Sequence, residues 1–320
     1  MLECVEMRRM LHSGGKLVQP LLKWAGGKRQ LLPELRRFYP TWFNQYWEPF
    51  LGSGAVFFDL YASGRLAGRP VRLLDSNADL IACYQRVRDE PDAVIAALER
   101  LAAERRKRGS AHYYEVRDRW FNPLRRKLAS HNGQSLQYTP ELAAMLIYLN
   151  RTGFNGLFRL NAAGGFNVPA GRYDRPRICD GENLRRVARA LNQPGISINC
   201  LPFDHVLDGA QAGAFFYFDP PYAPVSRTAQ FTSYTAGGFD QAEQRRLQTM
   251  IIQLARRGCQ VLLSNSTARE ISELYERNAA VRQAGLRCYR VPARRAINSK
   301  ASRRGPIPEF LITNITPSPA

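Results

Sequence analysis

An acid and an aromatic residue follow an apolar run, Ala214–Phe218, in the tetrapeptide Asp219-Pro220-Pro221-Tyr222. The two prolines cannot continue a strand, because each lacks a backbone N–H group. Asp219 and Tyr222 are therefore held at the point where the strand ends, and open α/β sheets bind their ligands at that edge. The carboxylate can accept a hydrogen bond from an amino group, and the ring can stack on a nucleobase. For the tetrapeptide alone, the alternative is a simple turn that ends a strand.

A glycine-rich motif, Glu48–Gly54 (EPFLGSG), lies between a predicted strand and a predicted helix. Gly52 and Gly54 would let a ligand approach the backbone N–H groups at the N-terminus of that helix. The motif lacks the third glycine of the dinucleotide fingerprint, which argues against a nicotinamide cofactor. A tight turn between strand and helix is the alternative interpretation.

Two further segments carry residues that could bind a ligand. Asp75 follows the next apolar run, where an acid in this architecture usually holds ribose hydroxyls. An N-cap for the helix that follows Asn77 is the alternative. The segment Lys23–Lys28 (KWAGGK) combines a tryptophan with two glycines and two lysines. It could pack against a ligand or form a hydrophobic lid.

These motifs require a sheet whose strands end where the motifs begin. Short apolar runs bounded by turn residues or charges are typical of buried parallel strands. Such runs lie at Gln45–Phe50, Val71–Leu74, Ala214–Phe218 and Cys259–Leu263. Helical patterns follow most of them, and a capping box at Asp240–Glu243 begins an amphipathic helix that we expect to end near Arg257. The repeated order of strand and helix predicts an α/β fold with a parallel sheet.

The middle of the chain interrupts this pattern. Residues 89–192 contain helices rich in Arg, Lys and Ala and a glycine-rich loop at Gly153–Gly171. We interpret them as a helical insertion between two parts of one sheet domain, residues 17–88 and 193–315. Near the C-terminus, β-like stretches at Leu286–Pro292 and Glu309–Ile315 predict a hairpin with a long basic loop. We expect residues 1–16 and 316–320 to be flexible ends.

The charge balance favours a polyanionic partner. The 320 residues include 46 Lys and Arg against 27 Asp and Glu, a formal net charge of +19. Such an excess would attract nucleic acid, although an Arg-rich surface without a partner would give the same count. No apolar run could cross a bilayer and Met1–Met10 lacks an apolar signal core, so we expect a cytoplasmic protein without a membrane partner. The six cysteines form no C-x-x-C pair, so we expect no zinc knuckle.

Together the motifs resemble those of the Dam-type N6-adenine DNA methyltransferases. The resemblance covers Lys23–Lys28, Glu48–Gly54, Asp75 and Asp219–Tyr222, and a middle block, NGLFRLN followed by GFNVPAGRY, within residues 155–173. The family implies a Rossmann-like methyltransferase sheet with an inserted helical target-recognition domain. It also implies duplex DNA as partner, S-adenosylmethionine as methyl donor and no metal. We expect the enzyme to be a monomer in solution.

The resemblance assigns roles to the motif residues. Asp219 and the carbonyl of Pro220 would accept hydrogen bonds from the N6 amino group of a flipped adenine, and Tyr222 would stack on that base. These contacts would increase the electron density on N6 as it attacks the methyl carbon, and much of the rate would come from positioning. For Asp204, a surface turn acid is the alternative. The cofactor-binding residues implied by the resemblance are Trp24, Lys28, Phe50, Gly52, Gly54, Asp75, Phe203, which would pack on the cofactor adenine, and Asp204.

In the family the middle block reads the palindrome GATC. Arg159 can donate two hydrogen bonds to a guanine edge, and Leu157 and Pro169 can contact a thymine methyl group. The remaining contacts implied by the resemblance are those of Lys23, which would reach the first guanine, Asn155 and Tyr173. Phe154 and Ala170 stand where the family commonly has Tyr and Phe, which puts the strength of discrimination in question. A glycine-rich connector is the alternative interpretation.

Other interpretations of the sequence stay open. Arg294 and Arg295 of the basic loop are predicted to contact DNA phosphates, and a solvated, mobile loop is the alternative. A related tetrapeptide that begins with Asn occurs in methyltransferases of RNA or glutamine side chains, so Asp219 favours DNA adenine. The intact Asp219 and Tyr222 argue against an inactive DNA-binding relative. The same chemistry on another DNA sequence, within a restriction–modification system, is the remaining alternative.

Overall fold

The computed structural model describes residues 17–24, 26–131, 136–223, 239–293 and 307–318. Within these ranges the strands form a seven-stranded sheet of order β3-β2-β1-β4-β5-β7-β6. Strands β1 to β5 run parallel to one another, whereas β7 is antiparallel to both β5 and β6. The predicted α/β fold with its C-terminal hairpin is confirmed. The strands are β1 Tyr46–Glu48, β2 Val71–Asp75, β3 Ile196–Cys200, β4 Phe215–Phe218, β5 Gln260–Ser266, β6 Arg287–Ala293 and β7 Ile307–Thr313.

Strand β3 was not among the predicted strands. It lies at the edge of the sheet and pairs with β2, with Ile198 opposite Leu73. Its apolar residues alternate with Ser197 and Asn199, and of its side chains only Ile198 is buried. An alternating five-residue strand does not form an apolar run, so a search for buried parallel strands overlooks it.

Helices cover both faces of the sheet and form the insertion. The helix that begins after Asp240 ends at Arg256, as predicted, and the Asp240 side chain accepts a hydrogen bond from Glu243 N at 2.9 Å. None of the helices in the described part of the chain has the length and apolar character needed to cross a membrane. The α-helices of the described ranges are α1 Leu32–Arg36, α2 Ala55–Ala62, α3 Ala78–Asp89, α4 Pro91–Arg108, α5 Ala111–Glu115, α6 Asn122–His131, α7 Pro140–Thr152, α8 Gly181–Leu191, α9 Val206–Gly209, α10 Gln241–Arg256, α11 Arg269–Ile271 and α12 Ala279–Gln283.

The sheet separates two apolar cores. In β4, Phe215 and Tyr217 face one core, and Phe216 and Phe218 face the other. The first core continues from the sheet into the insertion, where it includes residues of α4 and α7. The second core contains the apolar side of α10. The insertion therefore packs on the sheet through shared apolar contacts, and the domain boundaries near residues 88 and 193 stay a prediction.

The glycine-rich segment 153–171 folds as a narrow loop that we call the recognition hairpin. Antiparallel bridges join Gly153 to Ala170 and Leu160 to Phe166. Phe166 and Val168 point into the core, whereas Asn167 is half-buried and Pro169 is exposed. This alternation exposes one side of the hairpin to solvent and packs the other side against the core.

Some predictions fall on segments that the structure does not describe. Residues 1–16, 319 and 320 lie outside the described residues, as does the basic loop with Arg294 and Arg295. Residues 316–318 are described, and Ser318 N donates a hydrogen bond to the Arg37 carbonyl at 2.7 Å. The flexibility of the ends and the phosphate contacts of the loop stay predictions.

Candidate active site

Three acids lie at the carboxyl ends of adjacent strands. Asp75 ends β2, Glu48 ends β1 and Asp219 follows β4, and these strands are neighbours in the sheet. Glu48 is buried, with Tyr46 Oη donating to its Oε2 at 2.7 Å. Burial raises the pKa of Glu48 to about 8, although its hydrogen bond from Tyr46 opposes the rise. The site therefore concentrates carboxyl groups where parallel sheets bind ligands.

Asp219 is held by two donors. Ser264 Oγ donates to Asp219 Oδ1 at 2.9 Å, and Lys28 Nζ lies 2.8 Å from the same oxygen. Burial raises the pKa of Asp219, and the positive charge of Lys28 opposes that rise. The carboxylate is thus already engaged as a hydrogen-bond acceptor at the position where the tetrapeptide predicts one.

Lys28 also covers the ring of Tyr222. Its Nζ lies 4.6 Å from the ring centroid, and its side chain is only 7% exposed. Tyr222 Oη donates to Glu309 Oε2 on β7 at 2.9 Å, which fixes the tilt of the ring. An ammonium on an aromatic face is an attractive arrangement. One buried lysine therefore binds both the acid and the aromatic of the tetrapeptide.

The glycine-rich motif brings backbone donors to Asp75. Gly52 N donates to Asp75 Oδ2 at 3.0 Å, and Asn77 N donates to Oδ1 at 2.9 Å. Burial raises the pKa of Asp75 to about 6. The N-cap of α3 is Asn77, which accepts from Leu80 N, so the acid is free of that role.

Two motifs meet at Gly52. Its φ is 47°, and a Cβ there would lie 3.0 Å from Trp24 Cδ1. A side chain would therefore be strained and would displace the indole. Gly54, with φ 65°, is the N-cap of α2. The glycine-rich motif Glu48–Gly54 and the Lys23–Lys28 segment are thus packed against each other beside Asp75.

Aromatic rings form the far end of the site. Phe50 stacks on Phe203 with centroids 5.4 Å apart, and Phe239 contacts both rings. Arg246 pairs with Asp204 Oδ2 and lies over the Phe203 ring. Asp204 Oδ1 is buried and has no hydrogen-bond partner among the described residues. An unsatisfied carboxylate oxygen beside an aromatic surface could accept from the amino group of a bound purine.

The Lys23–Lys28 segment contacts the recognition hairpin. Asn150 accepts from Lys23 N and donates to the Lys23 carbonyl, both at 2.7 Å, and it also donates to the Gly156 carbonyl. Lys23 Nζ lies 4.2 Å from the Tyr173 ring centroid. Asn155 has φ 53°, a left-handed conformation in which asparagine is enriched. The residues predicted to read DNA are therefore gathered beside the predicted cofactor motif.

Side chains of the insertion fix the hairpin backbone. Asn122 donates to the Phe166 carbonyl at 3.0 Å and accepts from Phe166 N at 2.8 Å. Arg125 donates to the Gly164 carbonyl at 2.7 Å and forms an ion pair with buried Asp79 on α3. Tyr113 and Arg117 likewise donate to the Val168 carbonyl. Alternate carbonyls of one hairpin strand are thus held by side chains.

The opposite side of that strand supports Arg159. Asn167 Oδ1 accepts from Arg159 Nε at 2.8 Å, and Arg159 is exposed. The two terminal nitrogens of the guanidinium have no hydrogen-bond partner among the described residues. This arrangement can offer two parallel donors to a guanine edge.

Sequence reasoning missed several residues of the site. Glu309 lies in a predicted strand, and Ser264 directly follows one. The run Ser264–Ser266 after apolar residues is a signal that could have identified Ser264. Asn122, Arg125 and Asp79 gave no recognisable pattern, because their contacts depend on the packing of α3 and α6 against the hairpin. Within the described ranges, no group of three or more His, Cys, Asp or Glu is placed to hold a metal ion.

Comparison with known proteins identifies the family. The family model for the D12 class N6 adenine-specific DNA methyltransferases matches residues 24–289. The chain is 37% identical over 298 residues to the Type II methyltransferase M1.LlaDCHI of Lactococcus lactis subsp. cremoris, covering 93% of this chain and 95% of that protein. It is 37% identical over 309 residues to the Type II methyltransferase M.MjaIII of Methanocaldococcus jannaschii, covering 93% and 99%. It is 33% identical over 294 residues to the DNA adenine methylase of Escherichia coli K12, covering 91% and 93%.

The family model covers well over half of the chain, including strands β1 to β5 and the insertion, and each of the three relatives aligns with more than nine-tenths of the chain. The predicted resemblance to Dam-type enzymes is confirmed. The chain therefore belongs to the D12 class of N6 adenine-specific DNA methyltransferases.

Proposed function

We propose that this DNA adenine methyltransferase transfers a methyl group from S-adenosylmethionine to N6 of an adenine that is flipped out of duplex DNA, within the sequence GATC. The observation that carries the proposal is the contact of Lys28 with both Asp219 and Tyr222. This contact brings a hydrogen-bond acceptor beside an aromatic face, which is the chemistry that an exocyclic amino group and its base require.

The residues around Asp75 fit the methyl donor that the family implies. Gly52 has no side chain, which lets its backbone lie close to Trp24. The buried Asp204 Oδ1 has no hydrogen-bond partner among the described residues. Asp75 would hold ribose hydroxyls, Phe203 would pack on the adenine and Asp204 would accept from its amino group. When bound, S-adenosylmethionine supplies a methyl carbon that its sulfonium charge makes electrophilic.

The catalytic residues position the target base. Lys28 leaves the face of Tyr222 as the base enters, and the N6 amino group takes the place of the ammonium as donor to Asp219. Ser264 keeps the carboxylate in place during this exchange, because it donates to the same oxygen. The Pro220 carbonyl accepts a hydrogen bond from the second N–H of the N6 amino group. Both acceptors orient the N6 lone pair toward the methyl carbon, and positioning of this kind supplies much of the rate.

The recognition hairpin supports GATC as the target. Asn167 holds Nε of Arg159, which leaves the terminal nitrogens for a guanine. Lys23 lies against Tyr173, and Asn150 donates both to the Lys23 carbonyl and to the carbonyl of Gly156, the residue after Asn155. Leu157 and Pro169 are partly or fully exposed and can contact a thymine methyl group.

A second candidate is methylation of another DNA sequence within a restriction–modification system. Two of the relatives are named Type II methyltransferases and are 37% identical to this chain, against 33% for the DNA adenine methylase of Escherichia coli K12. Both candidates share the same chemistry and differ in the base contacts of the hairpin. A cytoplasmic location and a monomeric state stay predictions for either.

Transfer of labelled methyl groups tests the proposal. Duplex DNA, RNA and protein are offered separately with labelled donor, and random-sequence duplexes are then methylated and the modified adenines are mapped. We expect label in duplex DNA alone and modified adenines within GATC. Label in adenines of another fixed sequence supports the second candidate. Absence of transfer to DNA would contradict both.

A further inference from the structure

A broad groove runs along the insertion beside the recognition hairpin. It has a volume of about 1380 Å³ and lies between the C-terminal half of α4 and the segment 170–179, with Tyr114 at its edge. Ala170 and Gly171, which close the hairpin, form one end of it. The groove therefore continues the surface on which Tyr173 and Lys23 lie.

The charge of the groove is strongly positive. Five arginines line it, against the two acids Glu99 and Asp174. Arg106, Arg172 and Arg175 are exposed, and none of them has a hydrogen-bond or ion-pair partner among the described residues. Arg177 is already paired with Asp180 at 2.9 Å. Three guanidinium groups are thus available to one ligand.

A buried arginine points to the class of that ligand. Arg105 lines the groove and is only 9% exposed, and its Nη1 has no hydrogen-bond partner among the described residues. A buried guanidinium nitrogen without an acceptor is costly and rare in folded proteins. Phosphate oxygens match the fork of donors that arginine presents.

We propose that this groove binds the sugar–phosphate backbone of duplex DNA outside the methylation site. This inference rests on the proposed function, because the recognition hairpin at the end of the groove fixes where the duplex lies. The groove contacts phosphates and reads no bases, so it would strengthen binding to any flanking sequence alike. None of the described base-reading residues other than Tyr173 lines it.

Binding of short and long duplexes tests the groove. Both duplexes carry one GATC site; the short one ends about 3 base pairs from it, and the long one extends about one further helical turn, roughly 10 base pairs, on each side. Affinity is measured by fluorescence anisotropy over a series of KCl concentrations. The variant is Arg106→Gln with Arg175→Gln, because both residues are exposed and Arg105 is left in the core.

Arg256→Gln is the matched control. Arg256 is exposed and ends α10, next to Gly258, whose carbonyl accepts from Gly213 N just before β4. Arg256 therefore lies at the amino edge of the sheet, away from Asp219. Its replacement by Gln removes one positive charge without changing the groove. Its salt dependence should equal that of the wild type.

We expect the double variant to lower the slope of log affinity against log salt by about 0.9 for each lost phosphate contact, on the long duplex. On the short duplex its slope should match the wild type, and selection of GATC should be unchanged. An unchanged slope on the long duplex would overturn the proposal, as expected if the arginines hold a small free anion. An equal loss on both duplexes would also overturn it. If wild-type enzyme binds but methylates neither duplex, the proposed function fails separately.

Discussion

Asp219 combines burial, one hydroxyl donor and one ammonium at a single oxygen. Glu48, the acid that ends the neighbouring strand, accepts a hydrogen bond from Tyr46 and cannot replace Asp219 as the acceptor for the base. We expect Asp219→Ala to abolish methyl transfer while DNA binding is largely retained, because the proposed phosphate contacts lie elsewhere. Tyr222→Ala should reduce transfer severely, and Tyr222→Phe should reduce it less, because stacking requires only the ring. Single-turnover transfer rates and duplex affinities measure the two effects, and near-normal turnover by Asp219→Ala would contradict the mechanism.

Lys28 sets the acid limb of the pH profile. Burial raises the pKa of Asp219, and the charge of Lys28 opposes that rise. As an acceptor Asp219 must be ionised, so kcat/KM falls as the pH falls through its pKa. Lys28→Gln removes the opposing charge, so the pKa rises further and the acid limb moves to higher pH. Lys107→Gln, which removes an exposed charge paired with Glu104, is the control and should leave the limb in place.

The motif residues of this site could be predicted from the sequence, because strand ends and glycines have local signals. Asp219, Tyr222, Gly52 and Asp75 all lie at the sheet edge where the apolar runs stop. Glu309 could not be predicted, because it reaches the site only through the pairing of β7 with β5. Polar residues after an apolar run mark Ser264, but its contact with Asp219 depends on the pairing of β5 with β4. Local sequence carries no record of such pairing.

At the scale of elements, α6 and the recognition hairpin form one unit. Asn122 exchanges two hydrogen bonds with the Phe166 backbone. We expect Asn122→Ala to lower the free energy of unfolding by about 1–3 kcal/mol, because it leaves buried backbone groups unpaired. It should also reduce selection of the guanine that Arg159 is proposed to read, by up to about 1–3 kcal/mol.

Methylation of GATC and of duplexes with one changed base measures this loss of selection. Arg126→Gln is the control, since Arg126 lies on the same helix and is exposed, and its one hydrogen bond to the described residues goes to the backbone carbonyl of Asn122. A loss of stability with unchanged base selection would show that Asn122 supports the fold but does not position the hairpin.

Elements differed in how well their sequences predicted them. The helix that begins after Asp240 has a complete N-terminal signal and was predicted to within a residue of its end. The hairpin at 153–171 was predicted only as a glycine-rich loop, because its bridges depend on side chains from α5, α6 and the π-helical segment Val116–Phe121 between them. Contacts distant in sequence, and not local propensity, give it its shape.

For the molecule as a whole, buried carboxyls make stability depend on pH. Burial raises the pKa of Glu48 to about 8, above the ordinary value of 4.5 that it regains on unfolding. Between these values the folded state keeps a proton that the unfolded state has released, so the free energy of unfolding falls as the pH rises. The contribution is fully present below about pH 4.5 and is lost as the pH approaches 8, with a slope of at most about 1.4 kcal/mol per pH unit.

Glu48→Gln keeps a neutral side chain at every pH, so we expect its stability to fall less between pH 6 and pH 8 than that of the wild type. Denaturant unfolding at three pH values in this window measures the difference. Glu141→Gln, an exposed acid in the first turn of α7, is the control. A variant that loses as much stability as the wild type over the window would show that Glu48 is ionised in the folded protein.

In the proposed mechanism, the contact of Lys28 with Asp219 and Tyr222 makes the lysine an internal competitor for the position of the flipped base. The carboxylate is never left without a donor, so an incoming base gains only the difference between its own contacts and those of the ammonium. A base that carries a carbonyl in place of the exocyclic amino group cannot make that exchange, because two acceptors would face each other. The lysine thus sets a threshold for entry that thymine and the O6 edge of guanine fail to pass, and chemical selection begins before any methyl group is in reach.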